Sequence, residues 1–145
     1  MFRRVLAVAA VLVATLLMWS DAAVGVWQAV VAFCLRSNES VTSTVMGVRQ
    51  WGDADLHVMV WGVVSAFVFF AFPTPRKRLC ATVILLAWSG VVELAQPWIT
   101  QSRSRQWIDF AGNIVGILGV FLVLTLVEKL RGRSRYDSAE LISRP

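Results

Sequence analysis

Residues 108–127 read IDFAGNIVGILGVFLVLTLV, a predominantly apolar run in which Asp109 is the only charged side chain. A helix needs about 20 such residues to cross the hydrocarbon core of a bilayer. The run has that length, and a polar stretch rich in basic residues follows it from Glu128 onward. This segment is therefore predicted to be a transmembrane helix.

The composition of the whole chain has the same character. Of its 145 residues, 57% are hydrophobic and only 16% are charged, against about 25% charged in an average soluble protein. A soluble domain of this size could not bury so much apolar surface, because small proteins keep a large share of their area exposed. The net charge of +5 does not indicate nucleic-acid binding, since the basic residues lie between apolar runs and in the tail. The composition predicts one all-α integral membrane domain.

Four more apolar runs precede the last one. They are Val5–Trp19, Ala22–Leu35, Leu56–Phe72 and Leu79–Gln96. The second is too short to cross a bilayer, so it is expected to lie at the interface, half-buried, or to extend the first helix. Pro97 is expected to end the fourth. We predict a bundle of about four transmembrane helices over residues 1–127 and a basic, flexible tail over residues 128–145.

The lysines and arginines predict the orientation of this bundle, because cytoplasmic segments carry an excess of them. With four spans and the N-terminus inside, ten of the 14 basic residues fall in inner segments. The other four are Arg36, Arg49, Arg103 and Arg105. Both termini and the tail are therefore expected to be cytoplasmic.

The N-terminus also allows a second interpretation. Two arginines, an apolar run and the sequence Ser20-Asp21-Ala22 are typical of a cleaved signal peptide. The bulk of Trp19 and the apolar run that continues after this point favour an uncleaved first span.

The two cysteines give no sign of a redox or metal motif. Cys34 and Cys80 form neither a CxxC nor a metal-ligand spacing. The four-span topology places them toward opposite membrane faces, so they are expected to be small apolar side chains that do not pair.

Polar side chains recur at the ends of three apolar runs, where a charge in a membrane helix is costly and requires a reason. They form pairs at helical spacing: Asp53 with His57, Glu93 with Gln96, and Asp109 with Asn113. Ser89, one turn before Glu93, extends the second pair. In the four-span topology all three pairs lie near the outer boundary. The short loop between the last two spans then places Glu93 and Asp109 in a common space, beside Arg103 and Arg105.

One face of the last span is expected to point into the bundle. At 100° per residue this stripe contains Asp109, Gly112, Asn113, Gly116, Gly119 and Val120. Gly112 and Gly116 form a GxxxG pair, which lets a neighbouring backbone approach closely. The pair would serve internal packing or a homodimer equally well, and the sequence leaves both open.

With these motifs the chain resembles the VanZ-like family of membrane proteins. The family pattern has an Asp four residues before a His, then E-x-x-Q, then an Arg, and then D-x-x-x-N-x-x-G at the start of the last span. The matching residues are Asp53 and His57, Glu93-Leu94-Ala95-Gln96, Arg103, and Asp109, Asn113 and Gly116. The motif region covers residues 53–119, and Ala54 stands where the family usually has Lys.

The resemblance implies a compartment more than a reaction. It suggests a multi-pass protein of the bacterial plasma membrane with its site residues on the extracytoplasmic side. The founding member of the family is linked to lowered susceptibility to teicoplanin, a lipoglycopeptide that acts at the outer cell surface. A role in the cell envelope and in antibiotic resistance is the resulting expectation.

Two functions fit these residues best. In the first, the site binds a cell-envelope lipid or a lipoglycopeptide through substrate-binding residues: Asp53, Gln96, Arg103, Arg105 and Asn113. In the second, the protein is a membrane-embedded enzyme that acts on a lipid-linked envelope substrate. His57 or Glu93 would then be the general base and Asp109 would orient its partner.

Other interpretations are weaker. No cofactor or metal is predicted, although His57, Glu93 and Asp109 are side chains that metals accept as ligands. A transporter is disfavoured, since four spans leave little room for a pathway. The polar residues would also be explained if they only joined helix ends, with Asp53 as a helix cap and Glu93 paired to Arg103.

Overall fold

A computed structural model describes residues 1–36, 53–100 and 106–143, with residues 133–143 described through their backbone alone. The helices within these residues are α1 (Phe2–Met18), α2 (Asp21–Leu35), α3 (Ala54–Ala71), α4 (Pro75–Ile99) and α5 (Trp107–Ser143). The prediction of an all-α fold is confirmed.

Three helices are long and apolar enough to cross a membrane: α3, α4 and the Trp107–Gly132 part of α5. Helices α1 and α2 meet that criterion only as a pair, and they are bent by 91° at the break between them. The described part of the chain therefore has three such helices, or four if the bent pair counts as one span. This agrees with the predicted membrane bundle.

Residues 22–35 do not extend the first helix, and that part of the expectation is wrong. The extended backbone of Ser20 ends the helical path, and α2 starts again in a new direction. No residue of α2, which is described throughout, is buried. Together with α1, this helix forms either a broken span or a re-entrant segment.

Helix α4 is longer at both ends than its apolar run. Pro75 occupies the first turn, and the Thr74 hydroxyl accepts a hydrogen bond from the Lys77 N–H at 3.4 Å. Proline fits there because its missing N–H would have no helical partner. The basic triplet of residues 76–78 therefore lies in the helix and not in a loop.

Pro97 does not end α4, which corrects the expectation. A proline removes one backbone hydrogen bond but does not stop the last turn from forming. The helix continues to Ile99, and the Thr100 N–H still bonds to the Gln96 carbonyl oxygen at 2.9 Å. Helix α5 likewise continues beyond Val127, as a helical backbone to Ser143.

Helices α3 and α5 approach each other backbone to backbone. A Cβ atom at Gly112 would lie 2.6 Å from the Ala54 carbonyl oxygen, and one at Gly116 would collide with the Val58 carbonyl oxygen. Both glycines are buried against α3. The GxxxG pair therefore serves packing within the chain.

The predicted stripe on α5 is correct except at Gly119. That residue is exposed, and a Cβ atom there would meet no described atom within 4 Å. Gly119 lies at the edge of the stripe and points away from α3. The contact between α3 and α5 is made there by Gly116 and Val120. Ile117 is fully buried in its place, and its carbonyl oxygen accepts a hydrogen bond from Ser65 at 2.9 Å.

Helix α1 joins the bundle through small residues and tryptophans. Ala7, Ala14 and Met18 are buried in the apolar core. The Trp19 indole N–H donates to the Val92 carbonyl oxygen at 3.2 Å, and that of Trp88 donates to the Thr15 hydroxyl at 3.0 Å. These bonds hold the C-terminal part of α1 against α4.

The end of α3 that carries Phe69 and Phe72 has a different set of contacts. Arg78 forms an ion pair with Glu128 and donates from Nε to the Phe72 carbonyl oxygen at 2.8 Å. Its guanidinium also lies 4.1 Å from the centre of the Phe69 ring. We call this group of residues, together with Arg4 over the ring of Phe72, the basic end of the bundle.

Candidate functional site

His57 lies at the centre of a buried group of polar side chains at the other end of the bundle. We call the group the polar cluster, and its members are Asp53, His57, Glu93, Asp109 and Asn113. His57 is fully buried, and none of the other four exceeds 8% exposure. Three helices thus place three carboxyl groups and an amide around one imidazole.

The distances define two sides of the imidazole ring. On one side Nδ1 lies 2.7 Å from Oδ1 of Asn113 and 3.8 Å from Oε2 of Glu93. On the other side Nε2 lies 4.0 Å from Oδ1 of Asp53 and 4.0 Å from Oδ2 of Asp109. The two aspartates therefore face the same ring nitrogen.

The contact with Asn113 orients the imidazole ring. An amide oxygen can only accept, so Oδ1 of Asn113 suits an Nδ1–H donor. In the neutral ring with that tautomer the lone pair is on Nε2, which faces the two aspartates. In that form the ring would present a base or a ligand atom on this side.

The local sequence explains how these side chains meet. Asp53 and His57 are one turn apart at the start of α3, and Asp109 and Asn113 are one turn apart at the start of α5. Gly112, between the last two, brings the α5 backbone against α3. Residues four apart lie on one face of a helix, so both pairs face the same interhelical space.

The side chain of Asp53 does not cap α3, although its residue occupies the cap position. The Leu56 N–H donates to the Asp53 carbonyl oxygen at 2.8 Å and to Oδ1 of Asp55 at 3.0 Å. The Asp53 carboxylate instead faces His57. Asp53 is therefore the N-cap residue of α3, as expected, but its side chain accepts no capping hydrogen bond.

Two other residues predicted to contribute to the site have different surroundings. Gln96 is fully buried, and its amide nitrogen donates to the Met18 carbonyl oxygen at 3.1 Å, which joins α4 to the end of α1. Ser89 is buried and donates to the Leu86 carbonyl oxygen at 2.9 Å. Arg103 and Arg105 lie outside the described residues.

A cleft between α4 and α5 leads to the polar cluster from the side. Its volume is about 440 Å³. Its lining residues are Gly90, Glu93, Leu94, Gln106, Trp107 and Phe110. Trp107 and Leu94 are strongly exposed at its mouth, while Glu93 belongs to both the cleft and the cluster. A ligand with an apolar chain and a polar head would match this order of surfaces, from the apolar walls of the cleft to the polar cluster.

The sequence did not point to most of this cleft. Gly90 and Phe110 lie off the polar stripes, and Trp107 has the ordinary signature of an interfacial anchor. The available signal was the absence of a side chain at Gly90, one turn before Glu93, because it leaves space beside an aromatic ring. A Cβ atom at Gly90 would lie 3.3 Å from Cε2 of Phe110.

Fold and site together define a helical membrane protein with a polar cluster buried between its helices. Comparisons with protein-family models, with curated proteins and with solved structures find no match to this chain. The resemblance to VanZ-like proteins thus depends on the motif residues alone.

Proposed function

We propose that this chain binds the polar group of a membrane lipid or lipoglycopeptide at the polar cluster, with the apolar part of the ligand in the cleft between α4 and α5. The observation that carries the proposal is the position of Glu93. It lines the cleft and also lies 3.8 Å from Nδ1 of His57. A ligand that enters the cleft from the lipid therefore reaches the cluster at Glu93.

The chemistry of the walls supports an amphipathic ligand. Leu94, Trp107 and Phe110 offer apolar and aromatic surface, and few polar groups converge at one end, as is common in ligand pockets. Ionisable residues buried in membrane helices are costly and mark functional sites by default. The cluster contains four such residues, and each has a side-chain atom within 4.0 Å of another member.

The topology supports an extracytoplasmic position for this site. The polar cluster lies at the end of the bundle opposite to Arg4 and Arg78, and cytoplasmic ends carry the excess of basic residues. The proposed ligand is therefore a lipid-linked molecule of the outer leaflet of a bacterial plasma membrane. Lowered susceptibility to teicoplanin, as the VanZ resemblance suggests, is the corresponding cellular effect.

The test blocks the cleft with one side chain. Gly90→Leu places an isobutyl group against Phe110, while Gly119→Leu introduces the same group at an exposed position with no described neighbour. Both proteins are purified in mild detergent, and the bound lipids are identified by mass spectrometry. We expect Gly119→Leu and the unmodified protein to retain the same lipid and Gly90→Leu to lose it.

Cells that produce each variant are then compared for teicoplanin susceptibility. Gly90→Leu should abolish any protection that Gly119→Leu preserves at equal protein levels. Equal lipid occupancy in the two variants would show that the cleft is not the binding site. Loss of binding in both would show that the effect is unrelated to the cleft.

A second function is favoured by one observation, the 2.7 Å contact between Nδ1 of His57 and Oδ1 of Asn113. A neutral imidazole with its lone pair on the buried side, held by Asn113, has the form of a general base. In this version the protein is an enzyme that acts on a lipid-linked envelope substrate, with His57 or Glu93 as the base. Purified protein incubated with labelled envelope lipids should then form a new species, and His57→Gln should not.

A further inference from the structure

Three atoms of the polar cluster form a donor set of the kind that binds a transition metal. Nε2 of His57, Oδ1 of Asp53 and Oδ2 of Asp109 lie on one side of the imidazole ring. One ligand atom from each residue lies within 4.8 Å of the other two, and all three residues are buried. One imidazole nitrogen and two carboxylate oxygens suit Zn²⁺ or Mn²⁺, whereas Ca²⁺ and Mg²⁺ prefer oxygen alone.

The separations are close to those of a bound ion. A point central to three atoms that lie within 4.8 Å of one another is at most about 2.8 Å from each. Bonds from Zn²⁺ to nitrogen and oxygen are about 2.0–2.2 Å. Each ligand atom would have to move by less than about 1 Å, which a small side-chain rotation provides. The helices need not move.

A second, separate feature points to a metal. A histidine that binds a metal almost always donates its other ring N–H to an oxygen, which fixes the tautomer and aims the lone pair. Nδ1 of His57 donates in this way to Oδ1 of Asn113 at 2.7 Å. Asn113 belongs to α5 and is not one of the three ligands. It holds the ring so that Nε2 faces both aspartates.

The surroundings favour an ion of charge +2. Asp53 and Asp109 are at most 8% exposed, and two ionised carboxylate ligands carry a formal charge of −2. A divalent ion would neutralise both. With three protein ligands, Zn²⁺ would keep one coordination position open.

We propose that Asp53, His57 and Asp109 bind one divalent transition-metal ion, Zn²⁺ or Mn²⁺, with Asn113 as the partner that orients the histidine. The sequence predicted no metal, and the ligand set considered there contained Glu93 in place of Asp53. The inference goes beyond the proposed lipid site. The ion would also supply the positive charge that a phosphate or carboxylate headgroup requires.

The first test needs no variant. Purified full-length protein is stripped with a chelator and reloaded with Zn²⁺ or Mn²⁺ alone, and the metal content is measured by mass spectrometry. We expect about one ion per chain, with Ca²⁺ and Mg²⁺ unable to compete at equal concentration. The Mn²⁺-loaded protein should show the electron-spin-echo modulation of a bound imidazole nitrogen. Substoichiometric metal, or Mn²⁺ without that modulation, overturns the proposal.

Variants then assign the ligands. Asp53→Asn and Asp109→Asn preserve shape and remove one charge each, and Asp55→Asn is the matched control on the same turn of α3. Asn113→Ala should reduce the metal affinity by about 10–100-fold, as is typical of outer-shell partners. Each ligand variant should lose more affinity than that. Asp55→Asn should bind as the unmodified protein does. Equal binding by all four variants would contradict the assignment.

The metal test is independent of lipid binding. Metal content is measured without added lipid, and Gly90→Leu should bind the ion normally even though its cleft is blocked. A protein that binds metal but no lipid would retain the inference and remove the proposed function. A protein that binds lipid but no metal would retain the proposed function and remove the inference.

Discussion

The two ends of the bundle treat charge in opposite ways. At the basic end, the Arg78 side chain is 13% exposed and meets Glu128, whose side chain is 51% exposed. At the other end, the polar cluster is shut away between α3, α4 and α5, and its carboxyl groups surround one histidine. Exposed ion pairs are inexpensive, because water solvates both partners.

Buried ionisable groups are costly, because desolvation can exceed what their mutual attraction returns. The basic end is explained by membrane orientation and by contacts of Arg78 with Phe69 and Phe72. Under the proposed function, the polar cluster is retained for the ligand that it binds, at a cost that the basic end does not carry.

Labelling from outside the cell gives the largest contrast between the two ends. With Cys34 and Cys80 replaced by serine, Asp21→Cys near the polar cluster should react with a membrane-impermeant maleimide on intact cells. Lys77→Cys at the basic end should react only after lysis, because the reagent does not cross the intact membrane. Both positions are exposed in the structure. The reverse pattern would place the polar cluster on the cytoplasmic side.

Gly116→Ala should destabilise the fold by about 3 kcal/mol, because overpacking of a tight contact forces the backbones apart. The added Cβ atom would collide with the Val58 carbonyl oxygen and lie 3.0 Å from the Gly62 nitrogen. Thermal unfolding in detergent measures the effect. Gly119→Ala is the control and should be neutral or stabilising by at most about 1 kcal/mol. Equal stability of the two variants would mean that α3 and α5 are not in backbone contact.

Asn113→Ala should cost about 1–3 kcal/mol, because it leaves the buried Nδ1 proton of His57 without its acceptor. The loss should be smaller in a His57→Phe background, where no such proton exists. A double-mutant cycle of unfolding free energies measures this coupling. Additive effects would show that the 2.7 Å contact between the two side chains contributes nothing.

Glu128→Gln at the basic end should have the smallest effect, about 0–1 kcal/mol, and the effect should decrease further with added salt. Unfolding at low and high ionic strength measures both. A loss above about 2 kcal/mol would contradict the contrast between the two ends, since an exposed pair would then matter as much as a buried contact.

Helix class, the long apolar helices and the convergence of His57, Glu93 and Asp109 could be predicted from the sequence. Apolar length identifies spans, and a spacing of four identifies a shared face. The sequence therefore indicates that His57 and Asn113 lie on polar helix faces, but not that they are in contact. The bend after Met18, the start of α4 at Pro75 and its continuation through Pro97 were not predictable in this way. Each depends on backbone geometry at a residue that permits more than one conformation.

The cleft could not be predicted from the sequence for a related reason. It is an empty volume between helices, and its walls combine Gly90 with residues that are individually ordinary. The choice between a dimer interface and internal packing at Gly112 and Gly116 likewise depended on which neighbour the glycines meet. A sequence pattern shows which residues share one face of a helix, but it does not show which helix packs against that face.

The close contact between α3 and α5 has a mechanical consequence for ligand entry. Two helices that meet through interlocked backbones cannot slide past each other without collision. Asp53, His57, Asp109 and Asn113 should therefore move as one rigid body. Glu93 belongs to α4, so a ligand that widens the cleft would displace it alone. The distance from Glu93 to His57 then becomes a direct gauge of whether the cleft is filled.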